Sequence, residues 1–207
     1  MKIICPECKK EIDMQIPVSS PGIQERTPVG KPGNFQIERS LYGLQIVRSW
    51  FNPSVIALSF FCLVWNGFMA FWFYIAFKQK AYIMALFGSL HGSVGLGLLY
   101  GVLAGFLNKT YINISNGVVS IKHKPLPWLG QKNIPRQELK QLYTTETIYQ
   151  GKNGYSKTYS VKAITHRGQV IQLVSDLSAK EESLFIEQEV EKYLKIEDEP
   201  VTGEIPR

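Results

Sequence analysis

Two stretches decide the fold: PSVIALSFFCLVWNGFMAFWFYIAF at 53–77 and AYIMALFGSLHGSVGLGLLYGVLAGFL at 81–107. Neither contains Asp, Glu, Lys or Arg, and His91 is the one titratable group of that kind. Each exceeds the ~20 apolar residues that carry a helix across ~30 Å of hydrocarbon. Helices buried in soluble domains are usually shorter and keep a polar stripe. Only Lys78-Gln79-Lys80 joins the two runs, which is too short to hold a domain. The spacing therefore predicts an antiparallel transmembrane hairpin over 53–107, with the rest of the chain on one side of the membrane. Nothing resembling a secretory signal precedes it, so the first run is read as an uncleaved anchor.

Charge is distributed by segment. Residues 1–52 are net +2, the link adds +2, residues 108–175 carry ten Lys/Arg against two Glu, and residues 176–207 are net −6. Arg39 and Arg48 precede the first run, and Lys109, Lys122 and Lys124 follow the second, against Lys78 and Lys80 opposite. That bias predicts both termini in the cytoplasm.

Within the second run, Ser89, Ser93, Gly97, Gly101 and Gly105 recur every four residues. Small residues on one face let another helix approach closely. The short link forces the two helices together, so the first is expected to fill this groove. A seam between copies of the chain is the alternative. Asn66 and His91 lie at nearly equal distances from Gln79, so a hydrogen bond between them near the midplane is expected, worth about 1 kcal/mol. The competing reading makes them an intramembrane proton or ion site.

Residues 1–16 contain Cys5-Pro6-Glu7-Cys8, half of a zinc-ribbon knuckle. Two thiolates at this spacing grip one metal, but structural zinc takes four ligands. Zinc shared between copies, or completed by a distant histidine, stands beside a free thiol pair. Residues 17–33 are rich in Pro, Gly and Ser and read as a flexible linker. Residues 35–52 admit an interfacial amphipathic helix or two strands. Gly43 interrupts the helix, so the strands are preferred, with Trp50 anchored at the membrane interface.

After Lys109 the hydrophobic period becomes two. Asn116-Gly117 marks a hairpin turn, and Pro125–Gly130 reads as a rigid loop whose Trp128 is a second interface anchor. Three more strands are expected at Leu139–Tyr149, Tyr155–Thr165 and Gln169–Val174. Ser178 and Glu181 form a capping box, opening a helix to about Lys195 with Ile186, Val190, Tyr193 and Leu194 inward. Residues 197–207 read as a loose acidic tail.

Two strands before the hairpin, five after it and one closing helix make an α+β membrane protein. That order, with Arg48–Pro53, Tyr111–Lys124, Pro125–Trp128 and the Glu187–Leu194 helix, resembles bacterial membrane proteins that combine a pleckstrin-homology-like β domain with a helical hairpin. The resemblance implies a seven-stranded antiparallel module at 35–52 and 108–196, with the hairpin inserted in it or attached to it. It implies a non-catalytic binding or scaffolding role toward anionic lipid headgroups or a protein partner, and carries no catalytic residue. The excess of Lys/Arg suits an anionic bilayer surface, and no nucleic-acid-binding motif accompanies it. No G-x-S-x-G, P-loop or H-E-x-x-H occurs. The rival class is a subunit of a membrane enzyme or transporter using His91 and Asn66, or a metal at Cys5 and Cys8.

Overall fold

The structure, a computed structural model, describes residues 2–4, 11–13, 27–151 and 154–205. The chain divides into a small N-terminal unit and a large unit over Val29–Ile205. In the N-terminal unit, β1 (Lys2–Ile4) pairs antiparallel with β2 (Glu11–Asp13). Cys5, Cys8 and most of the 17–33 linker lie outside the described residues.

The large unit opens with β3 (Phe35–Ser40) and β4 (Gly43–Ser49), so residues 35–49 are strands and not an interfacial helix. Two helices follow, α1 (Pro53–Lys78) and α2 (Tyr82–Leu107). Each is 26 residues, or about 39 Å at 1.5 Å per residue. Then come β5 (Lys109–Ser115), β6 (Val118–Lys124) and β7 (Lys132–Pro135). One antiparallel sheet takes the order β3-β4-β5-β6-β7. The helical hairpin thus stands where a turn would join β4 to β5. Those strands pair continuously from Gly43↔Ser115 to Ser49↔Lys109. The Trp50 N–H donating to the Asn108 carbonyl at 3.2 Å carries the ladder to the helix ends.

A second antiparallel sheet contains β8 (Leu139–Gly151), β9 (Gly154–Thr165) and β10 (Val170–Leu177). Helix α3 (Lys180–Leu194) packs on it. Alternation along β4, β5 and β6 buries Leu44 and Ile46, Ile112 and Ile114, Val119 and Ile121. These meet Leu142, Val161, Ala163 and Leu177 of the second sheet and Phe185, Ile186 and Val190 of α3 in one core. Phe35 and Phe185 close it edge-on, with ring centroids 5.5 Å apart. The Asn116-Gly117 turn has φ of 50° and 72°, the left-handed pair that a two-residue hairpin requires.

Several expectations are corrected. The large unit has eight described strands in two sheets, not seven, because β7 pairs with the start of β6 through Ile121↔Lys132 to Val118↔Pro135. Lys132-Asn133-Ile134-Pro135 is too short to show a period, and its Pro is tolerated because β7 is an edge strand. The capping box does not form: Ala179 is the N-cap of α3 and makes no side-chain cap. Tyr193 is partly exposed, whereas Glu182, Glu187 and Glu191 are buried. The Glu187 carboxylate accepts from Thr144 Oγ1 at 2.5 Å, and Glu191 accepts from the Leu142 N–H at 3.3 Å. Two segments expected to be loose are docked. The Val29 N–H donates to Gln188 Oε1 at 3.0 Å, and the Ile205 N–H donates to the Thr144 carbonyl at 3.0 Å.

Candidate functional site

The site begins with two asparagines that bracket the hairpin. Asn52 caps α1, its Oδ1 accepting from the Ser54 N–H at 2.9 Å, with Pro53 preset for the first helical position. Asn108 ends α2, where its N–H still donates to the Ala104 carbonyl at 2.8 Å. Its side chain is only 1% exposed in the residue as a whole and forms a two-way pair with Leu126. Nδ2 donates to the Leu126 carbonyl at 3.0 Å, and Oδ1 accepts from the Leu126 N–H at 2.8 Å. A buried amide satisfied on both sides fixes the 125–130 loop against the hairpin base. Tyr100 adds a second tie: its hydroxyl donates to the Pro127 carbonyl, and its ring stacks on Trp128 at 5.9 Å.

The expected interface anchors meet here. Trp50 and Trp128 are edge-on with centroids 5.2 Å apart, and Trp50 also lies against the His123 ring at 5.3 Å. Thr110 and His123 are cross-strand partners on β5 and β6. Trp50 Nε1 can only donate, and it does so to Thr110 Oγ1 at 2.7 Å. Thr110 Oγ1 lies 3.0 Å from His123 Nδ1, so its proton suits an Nδ1 that accepts. That order fits a neutral imidazole carrying its proton on Nε2. Burial pushes His123 below its ordinary pKa in the same direction.

These side chains wall a cavity of about 430 Å³ between the hairpin base and the β module. Val55 and Gly105 contribute from the helices; Arg48, Lys132 and Asp176 contribute from the strands. Arg48 is tied to Glu182 of α3, with N···O 3.0 Å and both side chains largely buried. Asn34 Nδ2 donates to the same carboxylate at 2.7 Å. The Lys132 ammonium donates to the Gln172 carbonyl. Sequence reasoning found the two tryptophans and missed Asn108, Thr110, Lys132 and Asp176. The available signal was position: Asn52 and Asn108 flank the two apolar runs directly.

The intramembrane pair does not form. Asn66 Nδ2 donates to the Gly95 carbonyl at 3.1 Å and to its own Cys62 carbonyl at 2.8 Å. His91 sits one turn away, its Nδ1 3.4 Å from the Phe87 carbonyl and its ring 6.3 Å from that of Trp65. The reason is register. Trp72 faces Gly88, Asn66 faces Gly95 and Val55 faces Gly105, so the hairpin folds about Lys80 rather than Gln79. The small-residue face is also displaced. Helix α1 presses on Gly88, Gly92, Gly95 and Gly105, whereas Ser89, Ser93 and Gly97 are exposed and a Cβ at Gly97 or Gly101 meets nothing within 4 Å.

Among the described residues, Glu187, Glu191 and Asp198 are the group whose ligand atoms come close enough for one cation, within 4.8 Å of one another. Gln141 Nε2 donates to both Glu191 and Asp198 at 3.2 Å, and Thr144 holds Glu187. The cluster ties α3 and the C-terminal segment to β8. No protein-family model and no curated protein matches this chain.

Proposed function

We propose that this chain is an integral membrane protein of the bacterial inner membrane, whose hairpin spans the bilayer. Its β module is a pleckstrin-homology-like, non-catalytic binding or scaffolding unit, with both termini in the cytoplasm. The observation that carries the reading is the surface of the hairpin. Both helices are long and apolar enough to cross a membrane, and little of either is covered by the rest of the chain. Phe60, Leu63, Ile83 and Leu86 are all largely exposed. A contiguous apolar surface of that length exceeds what a monomer carries in water. The collar of Trp50, Trp128 and Tyr100 at one end suits the headgroup level, where amphipathic rings concentrate. The Lys/Arg bias and the ten basic residues of 108–175 support a module held at the anionic cytoplasmic surface.

The test has two arms. Membranes bearing the full chain are washed with alkaline carbonate; the chain is expected in the pellet, and its release overturns the spanning hairpin. A phosphatase that is active only in the periplasm is fused after Arg207; it is expected to be silent, and activity there reverses the orientation.

A further inference from the structure

We infer that the cavity at the hairpin base is a binding site for one zwitterionic phospholipid, of the phosphoethanolamine type. This deepens the membrane reading above and rests on it. With the helices spanning a bilayer, the cavity falls where hydrocarbon gives way to headgroups. Its volume of about 430 Å³ lies in the range of specific small-molecule sites and far exceeds a packing defect.

The walls divide by chemistry. Trp50, Trp128, Leu129 and Val55 are apolar; Arg48, Lys132 and Asp176 are basic and acidic residues, and Ser175 and Ser178 add hydroxyls to the lining. Such a division matches an amphiphile with one polar end. The charges choose among headgroups. Arg48 is already balanced by Glu182, which leaves Lys132 and Asp176 as one basic and one acidic residue of the same lining. A lone phosphate would meet Asp176 as a like charge. A phosphate carrying an ammonium gives Lys132 and Asp176 an opposite charge each. The general basic character of 108–175 therefore does not describe this cavity.

The lipid's tails have a way out. Gly101 and Gly105 line the cavity on the helix side, and space beside Gly101 and Gly97 is open. The uncovered side of α2 leads from the cavity along the span. A Cβ at Gly101 or at Gly97 would meet nothing within 4 Å, so an acyl chain has room to leave the cavity beside them.

The full chain is purified in mild detergent, delipidated and titrated with dioleoyl-phosphatidylethanolamine and dioleoyl-phosphatidylglycerol, with bound lipid counted by native mass spectrometry. One phosphatidylethanolamine per chain is expected, about fivefold tighter than phosphatidylglycerol, as for a partly exposed ion pair. Asp176→Asn should remove the preference while leaving phosphatidylglycerol binding intact. Lys132→Gln should weaken both lipids, and Gly101→Leu should weaken both without changing their ratio. Asp176 is exposed and Lys132 half-buried, and neither belongs to the hydrophobic core. Equal affinity for the two lipids, a preference that survives Asp176→Asn, or continuous uptake without a one-to-one step overturns the inference. Release of the chain by alkaline carbonate overturns the spanning hairpin instead, so the two failures are separate.

Discussion

The hairpin is held together differently in its middle and at its base. In the middle, close packing against glycine sets the seam: Trp72, Phe73 and Trp65 fill the hollows left by Gly88, Gly92 and Gly95, and three of the α1 side chains there also donate to α2 carbonyls, Trp65 to His91 at 3.3 Å, Asn66 to Gly95 at 3.1 Å and Trp72 to Met84 at 3.1 Å. At the base, hydrogen bonds dominate: Asn108 locks the 125–130 loop, and Trp50, Thr110 and His123 form a chain. The contrast follows the surroundings. Lipid offers no hydrophobic drive between helices, so close packing must supply it. At the base, backbone leaves regular structure and its polar groups need partners. The base also keeps an open cavity, which a seam built on close packing cannot keep.

Four measurements break or sharpen this contrast, read by thermal unfolding of the full chain in detergent. Gly95→Leu should cost the most, about 3 kcal/mol, as overpacking. A Cβ there would lie 2.8 Å from Asn66 Oδ1 and 3.0 Å from Trp65 Cδ1. Gly97→Leu, two residues away on the open side, is the control and should stay within about 0.5 kcal/mol; equal losses at both positions would erase the distinction. Asn108→Leu should cost about 2 kcal/mol, since it leaves the Leu126 N–H and carbonyl without their partner. A loss below that of Asn66→Leu would show that hydrogen bonds do not dominate the base. Asn66→Leu itself should cost about 1 kcal/mol, the usual size of such a bond between membrane helices.

The fourth and smallest effect is a pH dependence confined to the base. Burial lowers the His123 pKa in the folded chain, so the folded state binds fewer protons than the unfolded one. Its contribution is complete above the unfolded value of about 6.5 and is lost as pH falls from there through the lower folded value. The melting temperature of the native chain should therefore drop on acidification from pH 7 to 5 by more than that of His123→Gln. Parallel drops would place the sensitive group elsewhere.

How much of this was legible turns on period and register. The apolar runs and the change to period two after them were plain, because charge and alternation are local signals; before them, 35–52 fitted a helical period as well, and the preference for strands rested on Gly43. Asn116-Gly117 named its own turn. The packing face of α2 was misplaced for a geometric reason. A step of four residues turns about 400° in an α-helix, so four such steps drift about 160°. The stripe from Ser89 to Gly105 thus begins on the open side and ends against Val55. The face that α1 covers mixes steps of three and four, through 88, 92 and 95. The buried carboxylates of α3 were hidden because their partners, Arg48, Thr144 and Gln141, are far away in sequence. The cavity was hidden likewise: its walls come from β4, β5, β6, β7, β10 and both helices, and no local pattern gathers them.

The placement of the hairpin between β4 and β5 bears on the order of events during synthesis. The ribosome delivers β3 and β4 first, then about 60 residues of hairpin before Lys109 begins β5. At about 5–20 residues per second, β4 waits several seconds for the strand that pairs with its free edge. Throughout that interval β4 is an open edge, the kind of surface that recruits a wrong partner. In a spanning hairpin, β5 reaches β4 only after α2 has returned through the bilayer. On that reading the sheet is completed only after both crossings of the hairpin.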